Sequence, residues 1–193
     1  ATTVIYTLSL HDALPICIER YQLGYCQRCP TDNLGRPSYT IPVMQGGKLL
    51  NIRHRLTNAP NGDKYRPHMA GLGNQLFNAD AVLAGPDTIT IVEGEKKSIV
   101  VAQAGFANVG IVGKRAFKPE WVQWFKPVGL VYVALDPDAM ESAYRLGAIF
   151  GDRARVVDLP AKIDDMIVKY GATPDDLKYF FKVARPIRGE HVH

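Results

Sequence analysis

The sequence predicts an α/β protein in which a mainly parallel sheet is flanked by helices and is preceded by a small, basic α+β subdomain. From residue 88 onward, short runs rich in β-branched residues alternate with stretches of helical spacing, as in parallel sheets covered by helices. The run GLVYVAL at residues 129–135 is apolar throughout, which is typical of a central strand buried on both faces. Upstream, two apolar runs around a Gly-Gly pair indicate an antiparallel hairpin.

Composition limits the class of protein. The chain has 193 residues, of which 47% are hydrophobic and 22% charged, the usual proportions of a globular protein with a buried core. No apolar run approaches the roughly 20 residues that a membrane-spanning helix needs. The odd number of cysteines, three, argues against a disulfide framework. We therefore expect a cytoplasmic protein with no membrane role.

Charge is unevenly distributed along the chain. Residues 19–80 carry eight Lys/Arg against four Asp/Glu, whereas residues 81–171 carry eleven of each. This distribution fits a chain in which one part binds phosphates and another part holds a metal, although a solvated charged surface would give the same counts.

Four segments are expected. Residues 1–16 lack the basic start and long apolar core of a signal peptide and resemble a translated sequencing adapter, so residues 1–18 are expected to be a non-native or disordered leader. A basic subdomain should then cover residues 19–84, and the α/β domain residues 85–171. Residues 172–193 should form a C-terminal helix and tail.

Basic residues recur in the expected hairpin. Strands are predicted at residues 39–43 and 49–56, joined by a turn at residues 45–48. Arg53 and Arg55 are two positions apart and should lie on the same face of the second strand. A second basic cluster follows at residues 64–68. The candidates for contact with nucleic acid or nucleotide in this region are Lys48, Arg53, Arg55, Lys64 and Arg66.

The remaining elements alternate between strand and helix. A helix that begins at residue 94 should end at Gly105, and Thr173 should be the N-cap of the last helix, with Pro174 in its first turn. Strands are predicted at residues 88–92, 107–112, 129–135 and 154–159, and helices at residues 94–104, 119–125, 139–149, 164–170 and 173–183.

Acidic residues follow three of the predicted strands. Glu93 comes after the first strand, Asp136 and Asp138 follow the most apolar one, and Asp164 and Asp165 come shortly after the last. Parallel strands collect such positions at one edge of a sheet, where clustered carboxylates repel one another unless a cation neutralises them. Oxygen ligands favour Mg²⁺ or Mn²⁺. The alternative is that each acid only caps a helix and remains solvated.

These acids lie in motifs that resemble those of TOPRIM domains: IVEGE at residues 91–95, LDPDA at residues 135–139 and KIDD at residues 162–165. The resemblance implies a TOPRIM-type fold for residues 85–171. It also implies catalytic roles for Glu93, Asp136 and Asp138, and a Mg²⁺ site (or Mn²⁺ site) made by these acids with Asp164 or Asp165. Adjacent residues usually cannot both face one site, and we favour Asp165.

The upstream part resembles the basic subdomain that precedes TOPRIM in bacterial and phage primases. The landmarks are YQLGY at residues 21–25, YTIP at 39–42, GKLLNIRHRL at 47–56, Lys64-Tyr65, and QLF at 75–77. The resemblance implies a phage or mobile-element DNA primase core that makes RNA primers. Its partners would be a single-stranded DNA template, ribonucleoside triphosphates and a replicative helicase. Lys64 and Arg55 would contact nucleotide or template, with Lys48, Arg53 and Arg66 as further candidates.

One departure from the primase pattern keeps two other functions open. Bacterial primases usually have an acid four residues after the strand-tip glutamate, where this chain has Lys97, a residue that can face phosphate instead. A non-catalytic, TOPRIM-like nucleic-acid-binding module is one alternative, and a TOPRIM nuclease is the other. Cys26 and Cys29 have the spacing of a zinc knuckle, but no second pair of ligands follows, so ordinary packing is expected.

Overall fold

The chain divides into two compact units, residues 1–75 and residues 76–193. The computed structural model describes residues 15–59 and 64–187. The division falls at residue 75 rather than at residue 84, because Phe77 exchanges two backbone hydrogen bonds with Gly110 and so belongs to the second unit. Residues 1–14 of the expected leader lie outside the described residues. Residues 15–18 begin a helix in which Cys17 is buried.

The first unit is built on an antiparallel sheet of four strands in the order β1-β2-β3-β4. The expected hairpin is present, and its turn places Gly46 and Gly47 at φ values of 55° and 73°, a conformation that glycine adopts without strain. Three short elements were not predicted: α1, β1 and β4. The elements are α1 (Pro15–Arg20), β1 (Gly24–Cys26), β2 (Ser38–Gln45), β3 (Lys48–Leu56) and β4 (Tyr65–Pro67).

A chain of polar side chains runs from two buried residues of this unit, Ser38 and His54, to the exposed His68. Ser38 Oγ lies 3.1 Å from His54 Nδ1, and His54 Nε2 lies 3.0 Å from His68 Nδ1. The two imidazoles also stack, with ring centroids 5.2 Å apart. Burial of His54, together with the neighbouring His68, lowers the pKa of the His54 imidazole below its ordinary value. His54 is therefore neutral in the folded protein at pH 7.

This arrangement predicts an acid-sensitive first unit. The unfolded chain should take up a proton on His54 near pH 6.5, whereas the folded protein should do so only at lower pH. The folded protein, which keeps His54 neutral, is therefore most stable above about pH 6.5. It loses stability as the pH falls toward the pKa of His54 in the folded protein. Denaturant unfolding at pH 7.5 and pH 5.5 measures the difference. The same measurement on His54→Gln should show a smaller pH dependence, and an unchanged one would contradict the assignment.

The second unit is a five-stranded sheet in the order β6-β5-β7-β8-β9, with helices on both faces. The pairs β5–β6, β5–β7 and β7–β8 are parallel, as predicted, and β9 pairs antiparallel with β8. The elements are α2 (Ala79–Leu83), β5 (Thr88–Glu93), α3 (Glu95–Gln103), β6 (Asn108–Ile111), β7 (Leu130–Ala134), α4 (Met140–Ala148), β8 (Ala154–Val156), α5 (Ile163–Val168), α6 (Pro174–Lys182) and β9 (Arg185–Pro186).

Successive residues of the central strands enter two separate cores. In β5, Ile89 and Ile91 pack with α2 and α4, whereas Val92 packs with α3, α5 and α6. This alternation follows from the two-residue period of a strand, and it explains why β5 and β7 are apolar on both faces. The helices thus hold the sheet rigidly from both sides and fix the positions of its strand ends.

The second unit differs from the prediction in several places, among them helix α2, which was not predicted. Residues 119–125 form a helix, but it is a 3-10 helix, and the tail after residue 183 contributes strand β9 instead of ending the fold. Short 3-10 helices and two-residue strands carry no distinct periodicity, so sequence patterns do not reveal them. Among the described residues, no helix has both the length and the apolar character needed to cross a membrane.

Candidate functional site

The predicted acids lie at the carboxyl edge of the parallel sheet. Glu93 is the last residue of β5, and Asp136 comes shortly after the neighbouring strand β7. Asp138 lies in the single 3-10 turn that follows, and Asp164 lies in the first turn of α5. The prediction that chain topology would bring these acids to one edge agrees with their placement on these elements.

Asp136 is buried at the sheet edge, with 6% of its surface exposed. Lys97 Nζ lies 3.1 Å from its Oδ1, and Lys162 Nζ lies 3.2 Å from its Oδ2, so each carboxylate oxygen has an ammonium partner. The Lys97 contact is an ion pair without hydrogen-bond geometry, because Oδ1 accepts no hydrogen bond. The hydrogen bond and charge of Asp136 raise the pKa of Lys162.

Asp164 is equally buried and is paired with the other lysine of helix α3. Lys96 Nζ lies 2.7 Å from Asp164 Oδ2. Burial by itself would raise the pKa of this carboxyl, but the hydrogen bond from Lys96 and the charges of Lys96 and Lys97 hold that pKa below its ordinary value. Asp164 is therefore ionised. Helix α3 thus contacts the β7 end through Lys97 and helix α5 through Lys96.

Glu93 and Asp138 complete the group. Burial raises the pKa of Glu93, and the negative charges of Asp136 and Asp138 raise it further, while Lys97 and Lys114 act in the opposite direction. Asp138 is mostly exposed, with Lys114 Nζ 4.0 Å from its Oδ2. Glu93, Asp136 and Asp138 are thus near enough to influence one another electrostatically.

The structure favours Asp164 over Asp165 as the acid at this edge. Asp165 is paired with Lys169 at 3.0 Å, one turn along its own helix. Asp164 is instead buried against helix α3. Our preference for Asp165 therefore disagrees with the placement of the two side chains, because the phase of α5 turns Asp164 toward the sheet edge.

A divalent cation does not fit the site as it is arranged. Among residues 15–59 and 64–187, no three His, Cys, Asp or Glu side chains are grouped so that they could hold a metal ion. The four acids at the edge are matched by four lysines, so the formal charge sums to zero. Those lysines are Lys96, Lys97, Lys114 and Lys162. The sequence analysis did not identify Lys114 and Lys162 as site residues, although Lys162 is the first residue of the KIDD motif and Lys114 lies shortly after strand β6.

A close backbone approach fixes the start of helix α3. Gly94 has a φ of 89° at the turn from β5 into α3, and a Cβ on Gly110 of strand β6 would lie 2.7 Å from the Gly94 carbonyl oxygen. Only glycine fits at Gly110, because the nearest atom belongs to the backbone. Two glycines thus set the positions of Glu93 and of the two lysines of α3.

Gly110→Ala should therefore destabilise the protein and disturb the site. Forcing β6 away from the α3 start should lower the free energy of unfolding by about 1–3 kcal/mol. Denaturant unfolding measures this loss. Gly46→Ala is the control. Gly46 lies in the exposed hairpin turn, where an added Cβ would meet no atom within 4 Å, so this substitution adds backbone strain but no steric clash. Equal losses in both variants would contradict the close-approach explanation.

The basic candidates of the first unit lie on or next to strands β3 and β4. Arg53 and Arg55 occupy alternate positions of β3 and share a face, and the Arg53 guanidinium lies 5.7 Å from the centre of the Tyr65 ring. Lys48 is exposed at the hairpin, and Lys64 immediately precedes β4. Arg66 is opposite His54, so it points to the other face.

Cys26 and Cys29 form no metal site among the described residues. Both thiols are free, and the Cys26 Sγ donates to the carbonyl oxygen of Arg28 at 3.0 Å. The Cys29 Sγ lies 3.2 Å from Thr31 Oγ1. Cys29 is buried and Cys26 is partly buried, and each sulfur has a local hydrogen-bond partner.

Comparison with known proteins gives a likeness in structure but none in sequence. No family model matches the sequence, and no curated protein matches it. The E. coli primase catalytic core is similar with a TM-score of 0.71 and 16% identity, over 92% of this chain and 72% of that one. A DnaG primase catalytic domain bound to single-stranded DNA has a TM-score of 0.67 and 18% identity, over 92% and 73%.

The Aquifex aeolicus primase, solved as its zinc-binding and RNA polymerase domains, is similar with a TM-score of 0.68 and 15% identity. The match covers 89% of this chain, which spans about half (53%) of that protein's length. At these identities the likeness establishes the fold. This chain has the fold of the DnaG primase catalytic core, with its mainly parallel TOPRIM-type sheet and a preceding antiparallel sheet.

Proposed function

We propose that the chain is the catalytic core of a DNA primase that makes RNA primers on single-stranded DNA, in the cytoplasm, during phage or mobile-element replication. The observation that carries the proposal is the likeness of fold to DnaG cores over about nine-tenths of the chain. The position of Glu93, Asp136 and Asp138 at the carboxyl edge of the sheet supports it, since that edge is where ligands bind in such folds.

The basic residues of the first unit are assigned to the template and the nucleotide. Arg55 and Lys64 would contact phosphates, which supplies affinity that does not depend on base sequence. Lys48 and Arg53 extend the same surface, and Arg53 lies beside the Tyr65 ring on which a base can stack. Ribonucleoside triphosphates are the proposed substrates, and a replicative helicase is a proposed partner.

Mg²⁺ or Mn²⁺ is the proposed cofactor of the reaction, and when bound it would supply charge neutralisation at the reacting phosphates. In the present arrangement both oxygens of Asp136 already have ammonium partners. Substrate phosphates are groups that attract lysines, so Lys97 and Lys162 are the residues expected to leave Asp136 when a nucleotide binds.

Incorporation of labelled ribonucleotides on single-stranded DNA tests the proposal. We expect the chain to produce short RNA when Mg²⁺ or Mn²⁺ is present. Shortening of a labelled DNA strand in the absence of nucleoside triphosphates would show a nuclease instead. Binding of single strands without any product, under all metal conditions, would also contradict the primase proposal.

Lys64→Ala should weaken single-strand binding in a way that depends on salt. Losing one phosphate contact should reduce the slope of log affinity against log salt by about 0.7. Fluorescence anisotropy with a labelled oligonucleotide at several salt concentrations gives that slope. Lys126→Ala, which removes an exposed lysine of the second unit, is the matched control and should leave it unchanged. An unchanged slope for Lys64→Ala would remove this residue from the template-binding surface.

A nucleic-acid-binding module without catalysis is the second candidate. The pairing of Lys97, Lys162 and Lys96 with the acids favours it, because a site neutralised by lysines needs no cation to remain folded. Such a module would bind single strands with equal affinity in EDTA and in Mg²⁺. The incorporation assay distinguishes it from a primase.

A further inference from the structure

Two lysines are partly buried where a helix would ordinarily disfavour them. Lys96 and Lys97 lie in the first turn of α3, where the partial positive charge of the helix end repels cations. Their side chains are nevertheless only 19% and 14% exposed. A partly buried ammonium is stabilised by a compensating partner, and each lysine has one in an acid that comes from another element.

Both oxygens of the Asp136 carboxylate are paired with lysines. Lys97 approaches Asp136 Oδ1 from α3, and Lys162 approaches Asp136 Oδ2 from the residue before α5. Lys96 joins α3 to Asp164 of α5. Three lysines from two segments thus surround two buried acids, an arrangement that holds the sheet edge and the two helices together.

We propose that Lys97, Lys162 and Lys96 are counter-charges that take the place of a divalent cation in the free protein. The four acids and four lysines at the edge already balance, so an added dication would carry uncompensated positive charge. It would also lie within a few ångström of an ammonium, and like charges at that distance repel strongly. The free protein therefore binds Mg²⁺ and Mn²⁺ weakly at this edge.

Lys97 is the lysine that decides this property. It lies four residues after Glu93 and is the less exposed of the two lysines that contact Asp136. Its positive charge is paired with Asp136 and also opposes the rise in the pKa of Glu93 that burial causes. Replacing it with a carboxylate would remove a cation and add an oxygen ligand between these two acids. Lys162 is half exposed, so it can move into solvent when a cation arrives. Loss of Lys97 alone should therefore allow a divalent cation to bind at this edge.

Titration of the free protein with Mn²⁺, followed by the electron paramagnetic resonance signal of unbound Mn²⁺, tests the inference. Wild type should show no saturable binding below about 10 mM, and Lys97→Asp should bind at least about tenfold more tightly. Lys97→Gln, which removes the charge but adds no ligand, should lie between them. Lys169→Gln removes a lysine that pairs with Asp165 on the surface, and it should behave as wild type.

Sub-millimolar binding by wild type that is lost in Asp136→Asn would overturn the inference, as would Lys97 variants that bind no more tightly than wild type. If Lys97→Asp does not fold, as judged by circular dichroism, Lys97→Gln supplies the comparison, and it should still bind Mn²⁺ more tightly than wild type. The inference rests on the proposed function only for the assignment of this edge as the active site. Because the titration contains no nucleic acid or nucleotide, failure of the primase proposal would leave its result unchanged.

Discussion

Asp136→Asn should reduce ribonucleotide incorporation by about 100-fold or more, the usual effect of removing a charged group that acts at the reacting centre. Asn keeps the shape of the side chain but removes the negative charge that both Lys97 and Lys162 contact. The rate of labelled nucleotide incorporation on single-stranded DNA measures the loss. Glu93→Gln, at the end of the neighbouring strand, should have an effect of the same kind.

Asp158→Asn is the matched control. Asp158 also follows a strand of the same sheet, but its carboxylate is exposed and lies 3.5 Å from Arg185 rather than at the site. This variant should retain its activity. Equal losses in Asp136→Asn and Asp158→Asn, or a normal rate in Asp136→Asn with normal folding, would show that the sheet edge does not carry the reaction.

Phe125→Ala should cause the largest loss of stability, about 3–5 kcal/mol. Phe125 is fully buried in the larger core, with ring centroids 5.0 Å from Phe150 and 5.7 Å from Phe117. Removing its ring should leave a cavity beside Phe117 and Phe150. Denaturant unfolding measures the loss. Tyr170→Ala, at an exposed ring, should change stability by less than about 0.5 kcal/mol.

Local signals explain which elements the sequence predicted well. The run at residues 129–135 is long and apolar, and it forms strand β7. Thr173 is the N-cap of α6, where its hydroxyl accepts the backbone N–H of Asp176 and the Asp176 carboxylate accepts the backbone N–H of Thr173. Such capping depends on residues three apart, so it can be inferred from the sequence alone.

The ion pairs at the sheet edge could not be predicted in the same way. The acids follow strands of a recognisable pattern, and the topology rule brings them together. The pairing of Lys162 with Asp136 and of Lys96 with Asp164 instead depends on how α3 and α5 pack, which no periodic pattern encodes. For the same reason the choice between Asp164 and Asp165 depended on the phase of a six-residue helix.

Template-directed synthesis on homopolymers tests the central claim most directly. If the chain is a primase core, purified protein with Mn²⁺ or Mg²⁺ should join labelled ATP on poly(dT) but not labelled GTP, and Asp136→Asn should abolish the product. Incorporation of both nucleotides alike would show that no template is read. Failure of the folded wild-type protein to join ATP under either metal, while it still binds poly(dT), would contradict the primase account and favour a nucleic-acid-binding module.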